Sequence, residues 1–315
     1  MSDSSPVPQL DADVLHPPLA RRVRALDGNR AALLLLLSQN VVSAVLVRLG
    51  LPLGLSLVLT FVITVLLALV LLRPGLSALV QDSRWRTPPA WGTALLALLL
   101  ALIASRGVLI FVISIWPQGA QNIQQFQSAG SDLWLLLLAG GVLIPFAEEI
   151  AFRGLLMRGY EWARGPLYAA LAASAIFGLA HGVPAQIVAI LPIAWVLARA
   201  DQHTGSLWTG VIIHALNNSL ALGLGAFLSG NGELSKLLDT DQMPQLPVQV
   251  GLAGLLVGLA ALFVATVWLQ PRRELGTGAG GPLLSGSLIV LVLLIAVIVV
   301  AASGLVPLGG LGSPA

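Results

Sequence analysis

Nine continuous apolar stretches dominate the chain, at residues 31–48, 52–73, 91–115, 132–157, 166–182, 185–200, 206–229, 248–270 and 284–305. A helix needs about 20 apolar residues to cross a hydrocarbon core of ~30 Å. In lipid every backbone N–H and C=O must find its partner within the structure, which leaves helices and closed barrels. Barrel strands alternate apolar and polar positions over about 10 residues, and uninterrupted Leu/Ala/Val runs such as 94–101 do not alternate. Hydrophobic residues make up 57% of the chain and charged residues only 10%. Soluble domains carry about 25% charged residues, so a soluble fold of this composition would lack the polar surface to cover itself. The expected fold class is all-α: a polytopic transmembrane bundle of eight or nine spans, the fifth and sixth being the shortest.

The flanks complete the plan. Residues 1–30 are polar, with prolines at 6, 8, 17 and 18 and arginines at 21, 22, 24 and 30. No small-residue cleavage site follows a short apolar core, so this is expected to be a cytoplasmic tail and not a signal peptide. A transmembrane domain over 31–305 and a short tail at 306–315 follow. With the N-terminus inside, thirteen of the sixteen basic residues fall on inner segments, Arg153, Arg158 and Arg164 among them. The outer loop 116–131 has none and the acidic, polar loop 230–247 has only Lys236. Such a bias sets orientation. It predicts an integral, multi-pass protein with a cytoplasmic N-terminus, lying in the cell membrane if the source is bacterial. Residues 274–286 form a Gly-rich linker. No basic cluster is interleaved with aromatics, so no nucleic-acid partner is expected. The absence of cysteine removes disulfides, thiolate zinc sites and cysteine nucleophiles.

Ionisable groups within apolar spans are costly and are usually paired or functional. Here they are few and grouped. Span four ends in Pro-Phe-Ala-Glu-Glu-Ile-Ala-Phe-Arg, giving Glu148, Glu149 and Arg153. Span five ends with Phe177 and His181, and span seven carries His214, Asn217 and Asn218. Glu149 and Arg153 are four apart and share a helix face, as do His214 and Asn218. Glu148 lies ~100° around the helix from Glu149 and can meet a different neighbour. Counted at ~1.5 Å per residue, Glu148 lies roughly 10–15 Å from the inner surface, His214 near 12 Å, Asn218 near 18 Å and His181 near 22 Å, which permits a common buried cavity.

Two histidines, a carboxylate and an amide suit hydrolysis of an amide bond. A desolvated carboxylate is a competent general base for water, a neutral imidazole can orient that water, and a second imidazole with an amide can donate to an oxyanion. Alternatively Glu148, His181 and His214 could hold zinc or another divalent metal, since His₂Glu is a catalytic zinc set. A metal-free glutamate mechanism is equally open. Simpler readings stand beside these. A lone buried histidine is usually a satisfied core residue, Glu149–Arg153 alone reads as structural, and Asn217 can serve as a hydrogen bond between helices. Arg106 can pair with a carboxylate or face water.

In these three segments the sequence resembles the CPBP family, the CAAX proteases and bacteriocin-processing enzymes also called Abi proteins. The family pattern is Glu-Glu-x-x-x-Arg, then Phe-x-x-x-His, then His-x-x-x-Asn/Asp, on three helices. It is met here by Glu148, Glu149 and Arg153, by Phe177 and His181, and by His214 and Asn218. Phe152-Arg153-Gly154 and Gly205-Ser206-Leu207-Trp208 fit as flanks, and the resemblance covers about 130–225. It implies an intramembrane endopeptidase in which Glu148 and His181 activate water, His214 and Asn218 hold the oxyanion, and Glu149, Arg153 and Phe177 support the site. Family members are described as metalloproteases, and a glutamate mechanism has also been argued. The implied partners are the lipid bilayer and a membrane-associated peptide or protein, lipidated in the CAAX case.

No His-Glu-x-x-His, no Gly-x-Ser-Gly and no paired aspartates within spans are present, so other intramembrane protease classes fit poorly. A non-catalytic scaffold, immunity factor or regulator on the same fold is the alternative. A transporter is a third reading, weakened by the lack of any internal repeat.

Overall fold

The structure, a computed structural model, describes residues 21–118, 131–230, 246–271 and 285–302, and no strand occurs among them. The helices are α1 (Ala25–Arg48), α2 (Leu53–Leu71), α3 (Arg73–Gln81), α4 (Ser83–Arg86), α5 (Trp91–Ile115), α6 (Asp132–Arg164), α7 (Pro166–Leu179), α8 (Pro184–Thr204), α9 (Leu207–Gly230), α10 (Val248–Trp268) and α11 (Gly286–Ala302). Each of the nine expected spans coincides with a helix. Seven are long and apolar enough to cross a bilayer, whereas α7 and α11 are shorter. At ~1.5 Å per residue, the 14 residues of α7 cover only about 21 Å.

Lipid is the solvent of the outer surface. Val70, Trp134, Leu256 and Phe263 are each more than two thirds exposed, which soluble proteins rarely tolerate over whole helix faces. The interior nevertheless buries Glu149, Arg153, Asp201, Gln202 and His214. Turn chemistry sets the helix breaks beside the site. Gly165, at φ 87°, and Gly182, at φ 76°, adopt conformations that cost an L side chain dearly. Pro166 and Pro184 follow at or near the next helix start, where a missing N–H does no harm.

Two boundaries differ from expectation. The first helix begins at Ala25, inside the polar tail assigned to 1–30. Its first turn is capped by Asp27, which accepts from the Arg24 backbone N–H at 3.0 Å and pairs with Arg21 at 2.8 Å. More consequentially, the fourth span does not stop at 157 but continues to Arg164. Arg153 and Arg158 are therefore not loop residues, and Arg153 lies in the core at 1% exposure. Arg158 belongs to a buried ionic layer. Its Nε donates to Asp82 at 2.9 Å and its Nη1 to Glu161 at 3.1 Å. Arg84 meets the same Glu161 at 2.9 Å. Gln202 donates to Glu161 and to the Pro166 carbonyl, both at 2.8 Å. This layer pins the C-terminal ends of α6 and α8, the start of α7 and the α3–α4 corner at one end of the bundle. The loop at 230–247, the linker at 274–286 and the C-terminal tail lie almost wholly outside the described residues.

Small residues allow the closest helix contacts, as expected where packing rather than water drives association. Gly107 on α5 faces Gly254 and Gly258 on α10, and Gly28 on α1 meets the backbone of Leu155 and Leu156 on α6. A Cβ on Gly28 would overlap that backbone, so Gly28→Ala must push α1 off the helix that carries the two glutamates. Overpacking of this kind costs about 1–3 kcal/mol. A lowered melting temperature in detergent is the expected result; an unchanged one would contradict the contact.

Candidate active site

Helix α6 carries Glu148 at the end of a short α-helical segment, Ile144–Glu148, and Glu149 at the start of a π-helical one, Glu149–Met157. Such π segments concentrate at functional sites because they re-aim side chains without breaking the helix. Glu149 points inward and is completely buried. Its Oε1 accepts from Arg153 Nη1 at 3.0 Å and lies 2.8 Å from His214 Nδ1 on α9. Arg153 also donates through Nη2 to the Ala194 carbonyl at 3.2 Å, and its guanidinium sits 4.4 Å above the Phe177 ring. The expected i,i+4 pair thus exists, and its carboxylate reaches one of the two membrane histidines as well.

Glu148 turns another way. Its Oε1 accepts from Gln39 Nε2 on α1 at 3.2 Å, and its Oε2 stands 3.6 Å from His214 Nε2. His214 is therefore held between two carboxylates, Glu149 at Nδ1 and Glu148 beyond Nε2. Phe177 is the hub of the remaining contacts. Its ring makes edge-to-face pairs with His181 at 5.0 Å, His214 at 5.6 Å and Phe152 at 5.2 Å between centroids. His181 Nδ1 lies 2.9 Å from the Phe177 carbonyl, which can only accept, so Nδ1 carries the hydrogen. In the neutral ring Nε2 is left with its lone pair. Glu148, His214 and Arg153 are its electrostatic neighbours.

Asn218 is the exception. Its Nδ2 donates to the Gly140 carbonyl at 3.2 Å and its Oδ1 accepts from Asn217 at 3.1 Å. No hydrogen bond joins it to Glu148, His181 or His214 among the described residues. The reason lies in α6. A second π segment spans Ala139–Leu143, and Pro145 has no N–H to offer the carbonyls one turn back. Those of Gly140 and Gly141 are taken instead by Asn218 Nδ2 and by Ser219 Oγ, the latter at 3.3 Å. Asn217 accordingly bonds its neighbour and not another helix. Arg106 is exposed on α5 and pairs with no carboxylate among the described residues.

Sequence reasoning passed over three polar groups that the fold brings close. Gln39 is part of a polar Ser-Gln-Asn triplet in an otherwise apolar span, a signal that was present. Ser219 had no signal apart from its neighbour Asn218. Asp201, 1% exposed on α8, accepts the Gly210 N–H through Oδ1 at 2.8 Å, and its Oδ2 has no hydrogen-bond partner among the described residues.

A catalytic zinc takes three protein ligands and a water. Among the described residues no three His, Cys, Asp or Glu side chains group so as to hold a metal ion. His214 rests Nδ1 on Glu149, which leaves Nε2 as its one ring nitrogen for any ligand.

Against known proteins, the site's own segment is what matches: a family model described as type II CAAX prenyl endopeptidase, Rce1-like, aligns with residues 130–220. The match over this segment supports a CPBP-family intramembrane peptidase. No curated protein and no solved structure matches the chain. The matched segment holds Glu148, Glu149, Arg153, Phe177, His181, His214 and Asn218. Gln39 and the first two spans, which close the site from the other side, lie outside the matched segment.

Proposed function

We propose that the protein is a metal-free glutamate endopeptidase that cleaves a lipidated, membrane-associated peptide. The observation that carries this reading is the division of the two adjacent glutamates: Glu149 is sealed against Arg153 and His214, while Glu148 keeps one oxygen facing His214 Nε2. A water between Glu148 Oε2 and His181 Nε2 gives its proton to Glu148 as its oxygen bonds to the scissile carbonyl carbon. The developing oxyanion accepts from His214 Nε2–H of the doubly protonated ring, whose other N–H, at Nδ1, donates to the Glu149 carboxylate and holds the ring in register. The second N–H of Asn218, not used on Gly140, is the other donor. Collapse of the tetrahedral intermediate breaks the C–N bond, and the proton held by Glu148 passes to the leaving amine.

A cavity of about 190 Å³ supports the lipidated class of substrate. It lies between α1, α2 and α6 and is almost wholly apolar, with Leu35, Phe61, Leu72 and Phe146 among its walls. Ala147 and Ile150 line it from positions flanking Glu148, so an acyl or isoprenyl chain held there presents its attached peptide to the carboxylate. The arginine-rich end, where Arg22, Arg84, Arg158 and Arg199 gather around Glu161, Trp162 and Gln202, is the cytoplasmic end under the positive-inside bias.

The test is cleavage of a fluorogenic farnesylated CAAX peptide by the purified protein in detergent, with the unlipidated peptide and a chelator as comparisons. Burial of two methylenes at ~0.8 kcal/mol each already corresponds to about tenfold in affinity. KM should therefore rise at least about tenfold without the chain, kcat changing less, and chelator should leave the rate unaltered. Equal KM for both peptides would overturn the lipidated class. A rate abolished by chelator and restored by zinc would replace the glutamate mechanism with a metal one.

A further inference from the structure

The first span enters the active site through one side chain. Residues Ser38–Val42 interrupt α1 with a π-helical turn. Ser38 is buried there and donates back to the Leu34 carbonyl at 2.8 Å. The turn carries Gln39 inward, half-buried, although Leu37, Asn40 and Val41 around it are exposed. Gln39 Nε2 donates to Glu148 Oε1 at 3.2 Å, across 109 residues of sequence. It also lines a narrow cleft with Leu35, Phe61, Thr64 and Ala147, and these same four residues line the apolar cavity described above. Gln39 therefore stands where that cavity ends and the carboxylate begins.

A carboxylate that serves as general base must present a chosen oxygen to its water. Glu148 lacks the arginine and the close imidazole contact that lock Glu149, and Gln39 is the one hydrogen-bond donor on it among the described residues. We infer that Gln39 is a positioning residue of the reaction: by holding Oε1 it turns Oε2 toward His214 Nε2 and the attacking water. The three π-helical turns then share one purpose. That of α1 aims Gln39 at Glu148, that at Ala139–Leu143 receives α9 through Asn218 and Ser219, and that at Glu149–Met157 seats Glu149 and Arg153.

This inference rests on the peptidase reading, so its test has one arm that needs activity and one that does not. Gln39→Met keeps the volume and removes the donor. A hydrogen bond to a charged group is worth about 1.5–3 kcal/mol, so kcat should fall about tenfold to a hundredfold. KM for the farnesylated peptide should stay within about twofold, the pattern of an interaction felt in the transition state. Gln39→Glu, which sets a second carboxylate against Glu148, should lose at least as much. The independent arm is thermal melting of Gln39→Met, Glu148→Met, which removes the acceptor, and the double variant. The two changes should be non-additive, because residues in contact share their effect. An unchanged kcat, a rise confined to KM, or strictly additive melting shifts would each overturn the inference. Wild-type protein that cleaves no lipidated peptide would overturn the peptidase reading instead, with the melting cycle still deciding whether Gln39 holds Glu148. Should Gln39→Met fail to fold, Gln39→Glu carries both arms.

Discussion

Glu148→Gln is expected to lower kcat/KM for a farnesylated peptide by about 10²- to 10⁴-fold, the range a positioned general base contributes, with little change in melting temperature. The two halves of this expectation have different causes. Glutamine keeps the shape of the side chain and can still accept from Gln39, but it cannot take a proton from water. The side chain is 12% exposed and makes a single direct hydrogen bond, so the fold has little stake in its charge. Glu149→Gln should behave differently although it is the adjacent residue. Glu149 is completely buried and is bound to both Arg153 and His214 through one oxygen, so its neutralisation should reduce activity and stability together. Initial rates and melting curves for the two variants, measured side by side, check the assignment. Residual activity within tenfold of wild type in Glu148→Gln would remove Glu148 from the reaction. Equal melting losses in both would show that the two glutamates have the same structural role.

How much of this was legible beforehand follows from what a sequence can encode locally. Ionisable residues in apolar spans stand out because lipid penalises them, so Glu148, Glu149, Arg153, His181 and His214 were visible one at a time. The four-residue spacing of Glu149 and Arg153 gave their pairing directly. The separate direction of Glu148 also followed from helical geometry, although the π-helical turn that begins at Glu149 did not. A π segment differs from an α-helix by one residue in its hydrogen-bond register, and a 3.6-residue pattern carries no mark of it. The partner that Asn218 takes was hidden for that reason. Its amide is directed to Gly140 by a carbonyl that Pro145 leaves without a donor, a dependence spanning two helices. The arginines of the fourth span were counted with a solvent loop because their partners are distant in sequence: Asp82 lies 76 residues from Arg158, and Arg84 lies 77 from Glu161. Charge becomes admissible inside the bundle only once such counter-charges arrive, and local composition does not report their arrival. Gln39 was overlooked because an amide in a span costs less than a charge and attracts less notice.

Arg153→Met should be the most destabilising single change at the site. It leaves the Glu149 carboxylate in the core with only a histidine beside it, and loss of one partner of a buried pair costs about 3–5 kcal/mol. The cation over Phe177 and the bond to the Ala194 carbonyl are lost as well. Yet the pair is poorly satisfied as a structural element. Among the described residues, Glu149 Oε2 and Arg153 Nε are both buried without a hydrogen-bond partner, a condition that well-packed ionic networks avoid. A pair retained for stability alone could be exchanged for neutral side chains of similar volume at little cost. The double variant Glu149→Gln, Arg153→Met is therefore expected to recover much of the melting temperature lost by Arg153→Met. It should remain inactive, because His214 no longer has an anion at Nδ1 to fix its ring and support its Nε2–H. Melting in detergent and cleavage of the farnesylated peptide separate the two effects. A double variant that melts as low as Arg153→Met would make the pair structural, and one that both folds and cleaves would free His214 from its dependence on Glu149. Stability restored without activity is the outcome that assigns the buried pair to the orientation of His214.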